Sequence, residues 1–374
     1  MIPQDFFKIL SKKAISFYTG VPDSLLKNFC SYVNDNVSRE NHIISTNEGS
    51  AIALAAGYYL SSGKPALVYM QNSGFGNAVN PLLSLMDPEV YGIPVLLMIG
   101  WRGEPGVKDE PQHIKQGRVM TELLKSMEIP FRIFNKSTSD PELEISELYT
   151  TSISNNCPSA MLISEGFFDN YTSVSRTENP YIVSREEAIK MITDMTGDND
   201  IIICTTGKAS RELYELQKKK KSVNQNDFLT VGSMGHSSQI ALGIALNKKN
   251  RNVFILDGDG AVLMHMGSLA VIGSESPENL KHIILNNGAH ESVGGQPTAG
   301  FKISFTETAK GCGYKMAALA ETPEQIRHEF EKLKNSKGPA LLEIRVSCSS
   351  RSDLGRPVTS PAENKKVFTE HLRK

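Results

Sequence analysis

A carboxylate, Asp259, stands between two glycines in Leu256-Asp257-Gly258-Asp259-Gly260-Ala261, and 25 residues separate Gly260 from the amide pair Asn286-Asn287. Apolar runs lead into both segments: VFILDG (253–258) and HIILNN (282–287). Two strands of one parallel sheet would deliver both to its carboxyl edge, where open α/β sheets bind ligands. Gly258 and Gly260 let backbone N–H groups approach an anion, and a helix starting near Val262 would offer its positive end to a phosphate. Asp259 resists that picture, because a carboxylate about 4 Å from a phosphate charge costs on the order of 4 kcal/mol at an effective dielectric near 20. A divalent cation between them reverses the sign, and Asp, Asn and carbonyl oxygens suit a hard ion such as Mg²⁺. Taken alone, GDG describes an ordinary strand–turn–helix; its spacing to the Asn pair gives it weight.

These residues need a scaffold, and the chain supplies one by alternation. Apolar or β-branched runs at 14–20, 42–46, 65–70, 94–100, 130–134 and 160–164 are separated by amphipathic stretches at 22–36, 48–61, 117–128 and 138–154. The second half repeats the pattern, with strands at 201–205, 253–258, 282–287 and 340–346 and helices near 184–195, 207–220, 236–248, 262–274 and 322–335. Such alternation predicts an α/β fold of two domains, each a parallel sheet with helices on both faces. A chain of 374 residues exceeds one hydrophobic core. The polar stretch 171–183 reads as the linker between domains at 1–170 and 184–374.

Composition narrows the function. Lys+Arg at 40 against Asp+Glu at 41 leaves a net charge of −1, so no broad basic surface awaits nucleic acid. The lysine run 218–221 closes a predicted helix, where cations suit the dipole. Five scattered cysteines without a CxxC pair argue against a disulfide framework or a zinc site. No run approaches the ~20 apolar residues of a membrane span, and residues 1–12 lack the apolar core of a signal peptide. A cytoplasmic protein is expected.

With GDG and the Asn pair so spaced, the chain resembles the thiamine-diphosphate enzymes. The resemblance implies that Asp259 and Asn287 ligate Mg²⁺ together with the backbone oxygen of Ala289, while Gly260 and Ala261 contact the diphosphate. Gly232-Ser233-Met234-Gly235 resembles the segment whose bulky apolar residue, here Met234, props the cofactor into its V shape, with Ser233 beside it; Thr206-Gly207 resemble a further diphosphate contact. In the first half, Glu48 of Thr46-Asn47-Glu48-Gly49-Ser50-Ala51 stands where the family carries the glutamate that pairs with N1′ of the aminopyrimidine. Alone, a Glu in a first helical turn usually complements the dipole. The loop Gln71–Asn77 resembles the glycine-containing loop that borders pyrimidine and substrate, which places Asn72, Ser73 and Gly74 near the cofactor; a plain N-cap there is equally compatible.

The layout, a pyrimidine domain followed directly by a diphosphate domain with no middle domain, resembles the phosphonopyruvate decarboxylases, as do TGVPDS (19–24), DEPQH (109–113) and GGQPT (294–298). Sulfopyruvate decarboxylases are the runner-up, since their two domains usually occupy separate subunits. The resemblance implies decarboxylation of a small 2-oxo acid, with Asp23 and His113 as the acid and histidine near the substrate, although Pro22-Asp23-Ser24 is one residue off the related pattern. Ser24, Arg102, His290, Gln296 and Thr298 are candidates for the phosphonate, with Lys108 and Lys115 unranked beside them. It also implies a homodimer or larger assembly with active sites shared between chains. A catalytically silent homologue is the competing class; a dinucleotide-binding dehydrogenase fails because neither half opens with GxGxxG after its first strand.

Overall fold

The computed structural model describes residues 1–174, 179–219 and 226–373. Contacts divide the chain into two compact units, Met1–Thr177 with His290–Pro297 and Glu178–Ala289 with Thr298–Lys374. The first holds six parallel strands, Tyr18–Gly20, His42–Ile44, Leu67–Gln71, Val95–Gly100, Phe131–Phe134 and Pro158–Ile163. The second holds Ile201–Cys204, Asp227–Leu229, Val253–Gly258, Leu280–Asn286, Met316–Ala320 and Ala340–Arg345, again all parallel. Counted from one within each unit, both sheets have the order 2-1-3-4-6-5.

Alternation of side chains across the pleat explains the near-continuous apolar strands. Val68, Met70, Leu97 and Ile99 enter the core on one face of the first sheet, while Leu67, Tyr69, Leu96 and Met98 enter that on the other. In the second sheet Ile202, Phe254, Leu256 and Ile283 face one core, and Ile201, Ile203, Val253, Ile255 and Ile284 the other. The helix Glu48–Ser62 follows from its local sequence: Asn47 caps it by accepting from the N–H of Gly49 at 2.8 Å and of Ser50 at 3.4 Å, and Ala51, Ile52, Ala55 and Ala56 form its buried stripe.

Several boundaries depart from the sequence expectation. The helix after GDG begins at Asp259, not near Val262, so Asp259 is its first residue. The expected helix 22–36 begins at Lys27, because Pro22-Asp23 belongs to the turn leaving the first strand. Strands Asp227–Leu229 and Met316–Ala320 and helices Phe305–Gly311 and Pro361–Arg373 carry no sequence signal used above. MAALA has helix-forming composition, and pairing with Ala340–Arg345 overrides it. In the expected linker, Tyr171 Oη, Ser173 Oγ and the Val174 N–H donate to the Asp35 carboxylate at 3.1, 2.9 and 2.9 Å. Residues 175–178 of that linker, and Lys220 and Lys221 of the lysine run, lie outside the described residues. No described helix is long and apolar enough to cross a membrane.

Candidate active site

In each unit most candidate side chains sit in the loops and first helical turns that follow the first four strands, at the carboxyl edge of the sheet. Glu48 follows the second strand of the first unit and is 4% exposed. Burial raises its pKa above the usual carboxyl range, opposed by Asn77, whose Nδ2 donates to Oε2 at 2.8 Å. A Cβ at Gly74 would lie 1.9 Å from Glu48 Oε1. Gly74→Ala should therefore push aside the flexible carboxyl end and not the backbone. The expected result is a melting temperature near wild type with turnover about 100-fold lower, the scale of a misplaced reacting group. Melting curves and steady-state kinetics check it; unchanged turnover would separate the Glu48 carboxyl from the chemistry.

The loops after the first, third and fourth strands share one polar network. Asp23 is fully buried; its Oδ2 accepts from the Leu25 N–H at 2.8 Å and its Oδ1 has no hydrogen-bond partner among the described residues. Burial raises its pKa, against the Leu25 N–H and the charges of Arg102 and His113. Asn72 clasps Arg102: its Nδ2 donates to the Arg102 carbonyl at 2.8 Å, and the Arg102 N–H donates to its Oδ1 at 3.1 Å. The Gln71 amide donates to Ser73 Oγ and lies 3.4 Å from His113 Nε2. Arg102 donates through Nη1 to Ser24 Oγ at 2.7 Å and through Nε and Nη2 to Asp109, so its charge is already matched by a carboxylate. Lys108 and Lys115 are exposed.

In the second unit Asp259 is 3% exposed, and burial pushes its pKa up to about 6 despite hydrogen bonds from the Thr298 hydroxyl and the N–H groups of Gly260 and Asn287. Thr298, expected on the substrate, thus donates to Asp259 and lies in the candidate metal site. Asn287 Oδ1 accepts from the Ala289 N–H at 3.1 Å. Asn286 is consumed by structure: its Nδ2 donates to the Gly300 carbonyl at 2.8 Å and Glu343 Oε1 at 2.7 Å, and its Oδ1 accepts from the Gly288 N–H at 3.0 Å. Asn179 Nδ2 donates to the Asn287 carbonyl at 3.0 Å and the Val346 carbonyl at 2.9 Å, fixing the turn from behind. Thr206 Oγ1 accepts from the Gly232 N–H at 3.0 Å, joining the loops after the first and second strands. Gly235, at φ +85°, comes so close to the next segment that a Cβ would lie 2.9 Å from the Ala261 carbonyl. Thr206, the Gly232–Gly235 turn that carries Ser233 and Met234, and Ala261 are therefore neighbours, with Gly207 at φ +98° leaving the first strand.

These residues fit a cation and a diphosphate. Asp259 is a buried carboxylate whose described partners are neutral donors, the situation that a bound cation relieves. Among the described residues no three His, Cys, Asp or Glu side chains gather as a metal cluster. A cation here would need the mixed set of Asp259, Asn287 and carbonyl oxygens, which suits Mg²⁺. Sequence reasoning missed Asn77, Asp109 and Asn179. Asn77 closes the loop Gln71–Asn77 and Asp109 opens DEPQH, where the four-residue step from Asp109 to His113 was the available signal; Asn179 lies in a polar stretch that gave none.

Comparison with known proteins bears directly on this arrangement. "Thiamine pyrophosphate enzyme, N-terminal TPP binding domain" matches residues 2–125, and "Thiamine pyrophosphate enzyme, C-terminal TPP binding domain" matches residues 204–344. A phosphonopyruvate decarboxylase of Streptomyces viridochromogenes is 31% identical, over 96% of this chain and 92% of that protein. One of Streptomyces hygroscopicus is also 31% identical, over 98% and 92%. A sulfopyruvate decarboxylase of Methanosarcina acetivorans is 26% identical, over 98% of this chain and 96% of that protein. With two cofactor-binding domains matched in order and relatives matched along their length, the chain belongs to the thiamine-pyrophosphate-dependent decarboxylases, in the family of the phosphonopyruvate decarboxylases.

Proposed function

We propose that the chain converts 3-phosphonopyruvate to phosphonoacetaldehyde and CO₂ with thiamine diphosphate and Mg²⁺, as a cytoplasmic homodimer or larger homo-oligomer. The observation that carries this reading is a pair of buried carboxylates, Glu48 and Asp259, each at the carboxyl edge of its own sheet in a chain matched at 31% identity by phosphonopyruvate decarboxylases. When bound, the cofactor supplies the electron sink that lets the substrate carboxyl leave as CO₂. Asp259, Asn287 and the Ala289 carbonyl would hold the metal; Thr206, Gly207, Ser233, Gly260 and Ala261 would line the diphosphate, and Met234 would pack against the cofactor. Glu48, kept protonatable by burial, moves a proton at N1′ of the pyrimidine. Asp23, whose carboxyl pKa is also pushed upward by burial, and His113 serve the carbon that has lost CO₂. Asn72, Ser73 and Gly74 border the pyrimidine.

For the substrate's second anion the candidates are Ser24, Arg102, His290 and Gln296. Gln296 supports this role, because its amide is 3% exposed and neither of its polar atoms has a partner among the described residues. Such a site disfavours an acid that lacks the anion, since its donors then stay buried and unpaired. Specificity for phosphonopyruvate over pyruvate is expected by several kcal/mol, on the order of 10³-fold or more. Parallel kcat/KM measurements on phosphonopyruvate, sulfopyruvate and pyruvate test it. Equal constants for the first and third would overturn the substrate reading. The full-length archaeal relative named for sulfopyruvate means that a fused layout does not discriminate against that acid, so a preference for sulfopyruvate would promote the second reading.

The assembly has its own test. Sites shared between chains require Glu48 from one subunit and Asp259 from another. Inactive Glu48→Gln and Asp259→Ala chains, mixed equally during refolding, should recover roughly a quarter of wild-type activity, because half the dimers are mixed and each has one intact site. Absence of recovery in proven heterodimers would mean that each site forms within one chain.

A further inference from the structure

Asp109 has no role in the reading above, yet its carboxylate ties the first unit's polar network together. Oδ1 accepts from His113 Nδ1 at 2.9 Å, from the Glu110 N–H at 2.7 Å and from Arg102 Nη2. Oδ2 accepts from Arg102 Nε at 2.7 Å and the Gly103 N–H at 2.8 Å. Burial works against the charge of Asp109, but the hydrogen bonds from Arg102, His113, Glu110 and Gly103 overcome it and hold the carboxyl well below its usual range. The group is therefore an anion that can only accept.

That fixes its neighbours. The two-point contact sets the plane of the Arg102 guanidinium and leaves Nη1 for Ser24 Oγ at 2.7 Å, beside Asp23. A neutral imidazole carries one proton, and the hydrogen bond at one ring nitrogen decides where it sits. With Nδ1 facing an acceptor, the proton belongs on Nδ1 and Nε2 keeps its lone pair. The nearest partner of Nε2 agrees with this: Gln71 Nε2, an N–H donor, lies 3.4 Å away. Among the described residues, Asp109 on its own segment meets the ring directly, the Asp23 carboxyl after the first strand interacts with it through charge, and Arg102 after the fourth strand binds the same Asp109 carboxylate.

We infer that Asp109 is the positioning residue of this site: it orients Arg102 toward Ser24 and holds His113 protonated on Nδ1, so that Nε2 is presented as a proton acceptor. This rests on the assignment of His113 to the substrate side of the site. In ¹⁵N-histidine-labelled wild-type protein at alkaline pH, Nδ1 of His113 should show the shift of a protonated ring nitrogen and Nε2 that of a bare one. His113→Gln identifies the resonance. Asp109→Asn, which puts an N–H₂ against one set of these donors, should shift His113 toward the Nε2–H form and lower kcat about 10- to 100-fold, the scale known for carboxylates that orient metal-bound imidazoles. A purely structural Asp109 would leave the tautomer unchanged. If His113→Gln leaves kcat and KM intact, the site reading and this inference fall together. If His113→Gln is damaging but the wild-type ring is protonated on Nε2, the role of Asp109 is overturned while the site reading stands. Should Asp109→Asn fail to fold, the wild-type spectrum still decides.

Discussion

Asp259→Ala is expected to weaken thiamine diphosphate binding in the presence of Mg²⁺ by about 100-fold or more, since even supporting groups around a metal are worth about 10- to 100-fold and a direct ligand exceeds them. The substitution removes an anion whose burial is already unfavourable, as its raised pKa of about 6 records, so the second unit should remain folded. The Thr298 hydroxyl and the Gly260 and Asn287 N–H groups lose an acceptor but keep access to water that fills the vacated space. Calorimetric titration with and without Mg²⁺ isolates the metal-dependent part. Affinity equal to wild type would remove Asp259 from the metal site.

Glu48→Gln should bind cofactor at close to wild-type affinity and lose turnover by about 10²- to 10⁴-fold, the range associated with general acid–base catalysis. The amide has nearly the shape of the carboxyl and still meets Asn77. It cannot accept and return a proton at neutral pH. Exchange of the bound cofactor's C2 proton for deuterium, followed by NMR, reads this directly, and a wild-type exchange rate in the variant would sink the assignment. Binding and turnover separate here, whereas Asp259→Ala should lose both.

The alternation of apolar runs carries the sheet class, because a parallel sheet covered on both faces needs strands apolar throughout. It does not carry strand order: that both sheets run 2-1-3-4-6-5 depends on crossovers that no local pattern encodes. The edge strand Met316–Ala320 stays invisible because its residues favour helix until Ala340–Arg345 pairs with them. Asp259 and Asn287 were legible as a spaced pair, since the turns that bring the Asp259 carboxyl onto the Asn287 N–H are short and glycine-rich. Thr298 was not: eleven positions beyond Asn287, it returns to Asp259 through a loop whose path is set by Gly300 and Asn286. Asp109 was hidden for a similar reason. Its meaning lies in meeting Arg102, seven positions upstream, and His113 at once.

The most direct measurement is CO₂ release from phosphonopyruvate by the purified chain, with thiamine diphosphate and Mg²⁺ together and with each omitted after chelation. Steady release that requires the cofactor and is restored by adding the metal is the result predicted here. Release that persists without thiamine diphosphate, or no release from phosphonopyruvate, sulfopyruvate or pyruvate in the complete mixture, would contradict it.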